Sequence, residues 1–212
     1  VHPRLPLALL VTLTVTLGLA VSLVLLRPQA VTPVAAAVDG VESAASPFAG
    51  PTRASDALAP PLRLRDQRGR IATLDEYRGA PLVVTFLYST CRDTCPVAAR
   101  QIAGALDRLD APVPVIAVTV DPERDTPASA QRFVNRMGLR DRMRFLLGER
   151  DALRPIWRAY GIQPQGQGFE HNAYVLLVDG RGRQRVAWPV QVLTDDGLAH
   201  DIRVLQAEAG AG

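Results

Sequence analysis

The residues able to do chemistry are concentrated in one stretch, Tyr88-Ser89-Thr90-Cys91-Arg92-Asp93-Thr94-Cys95-Pro96, which holds both cysteines of the chain. A thiolate is the form of cysteine that attacks disulfides and binds soft metals. Three intervening residues make a wider loop than a C-x-x-C redox motif. Two sulfurs on such a loop can still close a disulfide or face one metal ion. A purely stabilising disulfide is the plain alternative, but closing so short a loop removes little chain entropy. Pro96 suits the first position of a helix, which places Cys95 at the cap, beside unpaired backbone N–H groups and the positive end of the helix dipole. That setting favours a thiolate, with Arg92 adding to it and Asp93 opposing it.

Two thiolates rarely complete a metal shell, so the three histidines matter. His2 precedes a long apolar segment and cannot reach the cysteines. His200 shares a predicted helix with Leu198 and Ile202 and reads as a surface residue. His171 stands just before an apolar strand, Tyr174–Val178. In a thioredoxin-like sheet that strand runs antiparallel beside the cysteine-bearing one, so its start meets the end where Cys91 and Cys95 sit. Two Cys and one His form a soft set that suits copper, whereas structural zinc wants a fourth ligand. Asp121, in Val120-Asp121-Pro122-Glu123-Arg124-Asp125-Thr126-Pro127, points toward the same sheet edge and could support the ligands from behind. The plain reading of that segment is a turn and a helix cap.

The elements that must position these residues alternate. Leu62–Arg65 and Ile71–Leu74 flank the turn Asp66-Gln67-Arg68-Gly69 and read as a hairpin. Leu82–Tyr88 is a continuous apolar run, which predicts a central strand buried on both faces. Ala98, Ile102, Ala105, Leu106 and Leu109 recur at helical spacing from Pro96 onward. Val113–Val120 is a second strand. Thr126-Pro127 reads as N-cap and first residue of a helix that Gly138 closes. Met143–Leu147 is a short strand, and Asp151 is expected to cap the next helix, with Pro155 about one turn in. Tyr174–Val178 and Gln184–Trp188 flank Asp179-Gly180-Arg181-Gly182, a hairpin signal, and Leu198, Ile202 and Leu205 mark a final helix. A β-α-β half followed by a β-β-α half is an α/β, thioredoxin-like arrangement. Here it carries an extra strand and helix between the halves and an added N-terminal β-hairpin.

The rest of the chain sets the compartment. Leu5–Leu26 carries no charge; as a helix it would span roughly 33 Å, against a hydrocarbon core of about 30 Å. Signal-peptide apolar regions run to only about 7–15 residues, so the length favours a retained transmembrane helix over a cleaved signal. The domain reading is therefore a membrane anchor over residues 1–27, a flexible Pro- and Ala-rich tether over 28–57 and a globular domain over 58–212. Under either N-terminal reading the globular domain lies outside the cytoplasm, on a single-pass protein of a bacterial cell membrane. There a cysteine pair can be oxidised unless a reductant maintains it. The 212 residues carry a net charge of +3, and every basic residue is an arginine. No basic run interleaved with aromatics occurs, so nucleic acid is set aside as a partner.

Phe86-Leu87-Tyr88-Ser89-Thr90-Cys91 with Cys95-Pro96, the Thr119–Pro127 segment, and His171 before Val175-Leu176-Leu177-Val178-Asp179-Gly180 together resemble the SCO/SenC copper proteins. These are membrane-anchored, thioredoxin-like proteins that help assemble cytochrome c oxidase. The resemblance covers about residues 58–208. It implies that Cys91, Cys95 and His171 bind copper, as Cu(I) or Cu(II), and that the copper goes to the dinuclear centre of oxidase subunit II. Other copper chaperones or thiol reductases would then be further partners. Two positions depart from the family's pattern: Arg92 where members often have Pro, and Glu170 where they often have Asp. Neither removes a ligand. Two functional readings stand: a metallochaperone, which is not an enzyme in the turnover sense, and a thiol–disulfide oxidoreductase with Cys91 and Cys95 as its redox pair. His171 discriminates, because a reductase does not need it. A thiol peroxidase is a distant third reading.

Overall fold

The computed structural model describes residues 46–53, 57–163 and 174–210, all within one compact unit, Ala44–Gly212. The expected transmembrane segment and His171 lie outside the described residues. Among the described residues no helix is long and apolar enough to cross a membrane.

Seven strands form one sheet, built around β3 (Leu82–Leu87), whose six residues are all buried. A strand that is apolar without alternation must be covered on both faces, and this one is. β3 pairs in parallel with β4 (Val115–Thr119), and β4 pairs in parallel with β5 (Met143–Leu147). On its other side β3 pairs antiparallel with β6 (Tyr174–Val178), which continues into β7 (Gln184–Pro189). β1 (Arg63–Asp66) pairs antiparallel with both β2 (Ile71–Thr73) and β5, so the strand order is β2-β1-β5-β4-β3-β6-β7.

Alternation along β3 divides the core into two layers. Val83 and Leu87 pack with Ala98 and Ile102 of α1 (Thr94–Asp107), Phe133 of α2 (Pro127–Arg136) and Leu198 of α4 (Asp195–Gly210). Leu82, Val84 and Phe86 face the other way, toward Leu153, Ile156 and Trp157 of α3 (Arg150–Tyr160). The sheet thus has helices on both faces, as expected for the α/β order of the sequence.

Local signals account for most element ends. Thr126 caps α2: its Oγ1 accepts from the Ser129 N–H at 3.1 Å, Ser129 Oγ accepts from the Thr126 N–H at 2.9 Å, and Pro127 opens the helix. Asp66 shapes the β1–β2 turn by accepting from the N–H groups of Arg68 and Arg70, each at 2.9 Å. Its second oxygen accepts from Arg144 on β5 at 2.9 Å, which ties that turn to the sheet.

Two expected caps are displaced. α3 starts two residues early, with Glu149 at the N-cap, so Asp151 lies in the first turn and complements the helix dipole instead of capping. Pro155 sits inside this helix, which keeps its course because one face buries Leu153, Ile156, Trp157 and Tyr160. α1 starts at Thr94 with Asp93 as its N-cap, so Cys95 is the second helical residue and not the cap.

Residues 46–53, part of the segment expected as tether, run beside β7. The Arg53 N–H donates to the Arg185 carbonyl at 2.8 Å, and the Ala187 N–H donates to the Pro51 carbonyl at 2.9 Å. Asp201 of α4, fully buried, anchors this strip. Its carboxylate accepts from the N–H groups of Ala49 at 2.6 Å and Gly50 at 3.0 Å, and from Trp188 Nε1 at 3.0 Å. Gly50 lies so close against the Trp188 ring that a side chain there would collide with it. Asp201→Ala leaves three donors unpaired, two of them buried, and should cost about 3 kcal/mol, read as a lowered urea midpoint with an intact far-UV circular dichroism spectrum before the transition.

Candidate functional site

Cys91 and Cys95 sit where β3 ends and α1 begins, both as free thiols and both buried. Asp93 holds the N-cap position of α1, but its side chain makes no capping hydrogen bond. The sulfur of Cys91 takes that role: it accepts from the Cys95 N–H at 3.4 Å, and the Asp93 N–H points to it as well. The Cys95 N–H, one of the orphan donors of the first helical turn, is therefore satisfied by a sulfur.

This convergence separates the two thiols. Cys91 is held well below the usual thiol range, chiefly because the Cys95 S–H donates to its sulfur. The two backbone N–H groups and the Tyr88 hydroxyl add to that effect and outweigh the cost of burial. Cys95 is pushed far up, first by donating to Cys91 and then by its own burial. Tyr88 is raised too, through burial and its hydrogen bond to Cys91. The shared hydrogen bond thus drives the two in opposite directions, Cys91 toward the thiolate and Cys95 toward the protonated thiol.

A second set of residues fixes the loop before Cys91. Asp125, buried, accepts from the Ser89 N–H at 2.8 Å, from Ser89 Oγ at 2.5 Å and from Thr119 Oγ1 at 2.6 Å. Ser89 Oγ also lies 2.8 Å from Ser129 Oγ at the start of α2. Trp157 Nε1 of α3 donates to the Thr119 carbonyl at 2.9 Å and secures the end of β4. Burial raises the Asp125 carboxyl, and its hydrogen bonds from Ser89 and Thr119 oppose that. The plain reading of Asp125 as part of a turn and cap was incomplete. A buried aspartate needs several donors, and Ser89 and Thr119 supply them only once β3 and β4 are paired.

Asp121 lies at the same end of the sheet and is buried, with Oδ2 lacking a hydrogen-bond partner among the described residues. Arg124 Nη1 stands 3.6 Å from that oxygen. Burial raises its carboxyl, with Asp125 and Glu123 adding to the effect and Arg124 opposing it.

Of the three expected ligands, two are brought together in the described structure. Thr85 pairs with Val175, and Thr85 Oγ1 donates to the Tyr174 carbonyl at 3.0 Å, so β6 does start beside the end of β3. His200 is exposed on α4, with Nε2 at 2.9 Å from the Pro47 carbonyl. Among the described residues no group of three or more His, Cys, Asp or Glu side chains is placed to hold a metal ion. Beside Cys91 opens a cleft of about 720 Å³, lined by residues of the cysteine loop, α1 and α2.

Comparison with known proteins decides the family. The SCO1/SenC model matches residues 50–206. The chain belongs to the SCO1/SenC family. Among curated SCO proteins, a bovine mitochondrial SCO2 homolog is 31% identical over 104 residues, 47% of this chain and 38% of that protein. A SCO2-like protein of Rickettsia prowazekii is 25% identical over 134 residues, 57% of this chain and 63% of that protein. These matches span less than two thirds of either relative's length. Among solved structures, Bradyrhizobium japonicum ScoI with copper bound is 26% identical with a TM-score of 0.57, over 70% of this chain and 99% of that one. The apo Sco1 protein of Thermus thermophilus superposes with a TM-score of 0.63 at 24% identity, over 74% of this chain and 96% of that one. The described residues of the domain share the fold of these structures.

The thiol asymmetry has a direct readout. An ordinary thiol loses nearly two orders of magnitude of thiolate between about pH 8 and pH 6. Iodoacetamide should instead modify Cys91 at a nearly constant rate across that range, while Cys95 stays protected. Tyr88→Phe removes one donor and should shift the Cys91 profile upward in pH. Peptide mapping by mass spectrometry of the reduced protein assigns the rates to each residue.

Proposed function

We propose that this SCO1/SenC chain is a copper metallochaperone that binds copper through Cys91, Cys95 and His171 and passes it on by ligand exchange. The observation that carries the reading is the cysteine pair itself: two free thiols on one loop, unbridged, beside an open cleft. A thiolate-rich site with few ligands suits copper, and its low ligand count lets an acceptor's Cys or His enter the shell. The solved copper-bound ScoI of Bradyrhizobium japonicum supports copper as the cargo. Support for His171 comes from the strand that follows it, which begins at Tyr174 beside the end of β3. Asp121 is assigned a supporting position behind the ligands, since its Oδ2 is left without a hydrogen bond in a buried place.

The acceptor we assign is the dinuclear copper centre of cytochrome c oxidase subunit II, with other copper chaperones or thiol reductases upstream. The apolar segment Leu5–Leu26 serves as a single-pass anchor in a bacterial cell membrane, with the domain on the extracytoplasmic side. There oxidation of the dithiol competes with metal binding.

Anaerobic Cu(I) titration of the reduced full chain against a chromophoric chelator tests the site. One copper per chain is expected, with Cys91→Ser abolishing it and His171→Ala weakening it by about tenfold or more. Binding indifferent to His171 overturns the three-ligand site.

The thiol asymmetry favours a second activity, thiol–disulfide exchange. Cys91 would attack a partner disulfide, forming a mixed disulfide and releasing one partner thiolate. Cys95 would then give up its proton to that leaving thiolate and attack Cys91. The second partner sulfur leaves as a thiolate, the partner disulfide is reduced by two electrons, and Cys91 and Cys95 are left joined as a disulfide. If this activity dominates, the copper-free reduced chain should reduce a peptide disulfide at a rate that His171→Ala does not alter. Cys95→Ser should stop the reaction at the mixed disulfide.

A further inference from the structure

The cleft beside Cys91 carries an unusual charge pattern. Arg92 from the cysteine loop, Arg100 from α1, and Arg132 and Arg136 from α2 all line it, and no carboxylate does. All four are exposed, and none makes an ion pair with a carboxylate among the described residues. Elsewhere on the domain many arginines are matched, among them Arg68 with Asp141, Arg108 with Asp195, Arg142 with Asp107, Arg150 with Glu123 and Arg185 with Glu208, and the unmatched ones such as Arg63 and Arg65 line no shared cleft with Cys91. Arg132 and Arg136 stand four residues apart on one helix face, where like charges repel. Among the described residues the Arg136 guanidinium has a cation–π contact, 5.7 Å from the centre of the Phe133 ring. Pro96 and Met137 also line the cleft.

We infer that this cleft is a docking groove for an acidic peptide segment of a partner protein, presented to Cys91. Unpaired guanidinium groups around a concave surface match carboxylates, which they can grip with paired N–H donors. The volume of about 720 Å³ suits several residues of peptide and exceeds what a lone inorganic anion fills. A membrane surface would call for a flat or protruding patch, and this one is concave with a thiol in its wall. Met137 and Pro96 give such a peptide an apolar contact between its charges. The inference deepens the proposed function by specifying how the partner reaches Cys91, and rests on that reading for its purpose only.

The test separates docking from copper and from thiol chemistry. The full chain bearing Cys91→Ser and Cys95→Ser is titrated, by fluorescence anisotropy, against dye-labelled peptides of Glu and Ser, of Gln and Ser, and of Lys and Ser. Binding is expected for the Glu peptide alone, weakening severalfold between about 20 mM and 200 mM salt. Arg100→Gln with Arg132→Gln should weaken it by about tenfold or more, whereas the charge-matched control Arg63→Gln with Arg65→Gln, on β1, should leave it unchanged. Equal effects of the two double variants would mean net charge alone and overturn the groove. So would displacement of the peptide by an equimolar amount of inorganic phosphate, or binding to phosphatidylglycerol vesicles in place of the Glu peptide. Loss of copper binding in the thiol chain with docking intact would fail the metal reading and leave the groove standing.

Discussion

The first turn of α1 is capped by a sulfur. Asp93 occupies the N-cap position and makes no capping bond, and the N–H groups that a hydroxyl or carboxylate would satisfy turn to Cys91 instead. A sulfur is a weak acceptor while protonated and a good one when charged, so the helix start and the thiolate stabilise each other. The Cys95 S–H on the same sulfur completes the arrangement. The same hydrogen bond lowers one thiol and raises the other, and a symmetric site would lack this division.

The arrangement depends on what holds the loop in place. Thr90 and Cys91 follow directly on Ser89, and Ser89 is fixed through its backbone and its hydroxyl by Asp125. Asp125 in turn is held by Thr119 at the end of β4. The parallel pairing of β3 with β4 therefore carries through a buried carboxylate to the position of a reactive sulfur. The antiparallel pairing of β3 with β6 brings a different part of the chain to the same sheet end. Parallel and antiparallel neighbours on either side of one strand let segments far apart in sequence meet there.

Charge is distributed with the same asymmetry. With no lysine in the chain, the positive charge rests on arginine alone. Many of the described arginines are held in ion pairs, several of which bridge separate elements. Around the opening beside Cys91 it is left uncompensated among the described residues. A field of one sign at the mouth of a thiolate site favours the thiolate and selects among approaching partners.

The sequence by itself determined the chemistry and the order of the elements. Two cysteines on one loop and a continuous apolar strand before them are local facts, and so are the Thr126-Pro127 cap and the turns at Asp66 and Asp179. Each follows from the preferences of a few adjacent residues. The helix starts were less legible: Cys95 was expected at the cap and Asp151 at another. Competition for N–H groups near a helix start depends on which acceptor lies closest in space, and at α1 that acceptor is a side chain two residues before the cap. What only the tertiary structure decided was long-range. Asp125 became the support of Ser89, Asp201 became the anchor of Ala49 and Gly50, and arginines from a loop and two helices came to share one cleft. Nothing in the spacing of these residues announces such meetings, because they are set by which strands pair and which helix faces the sheet buries.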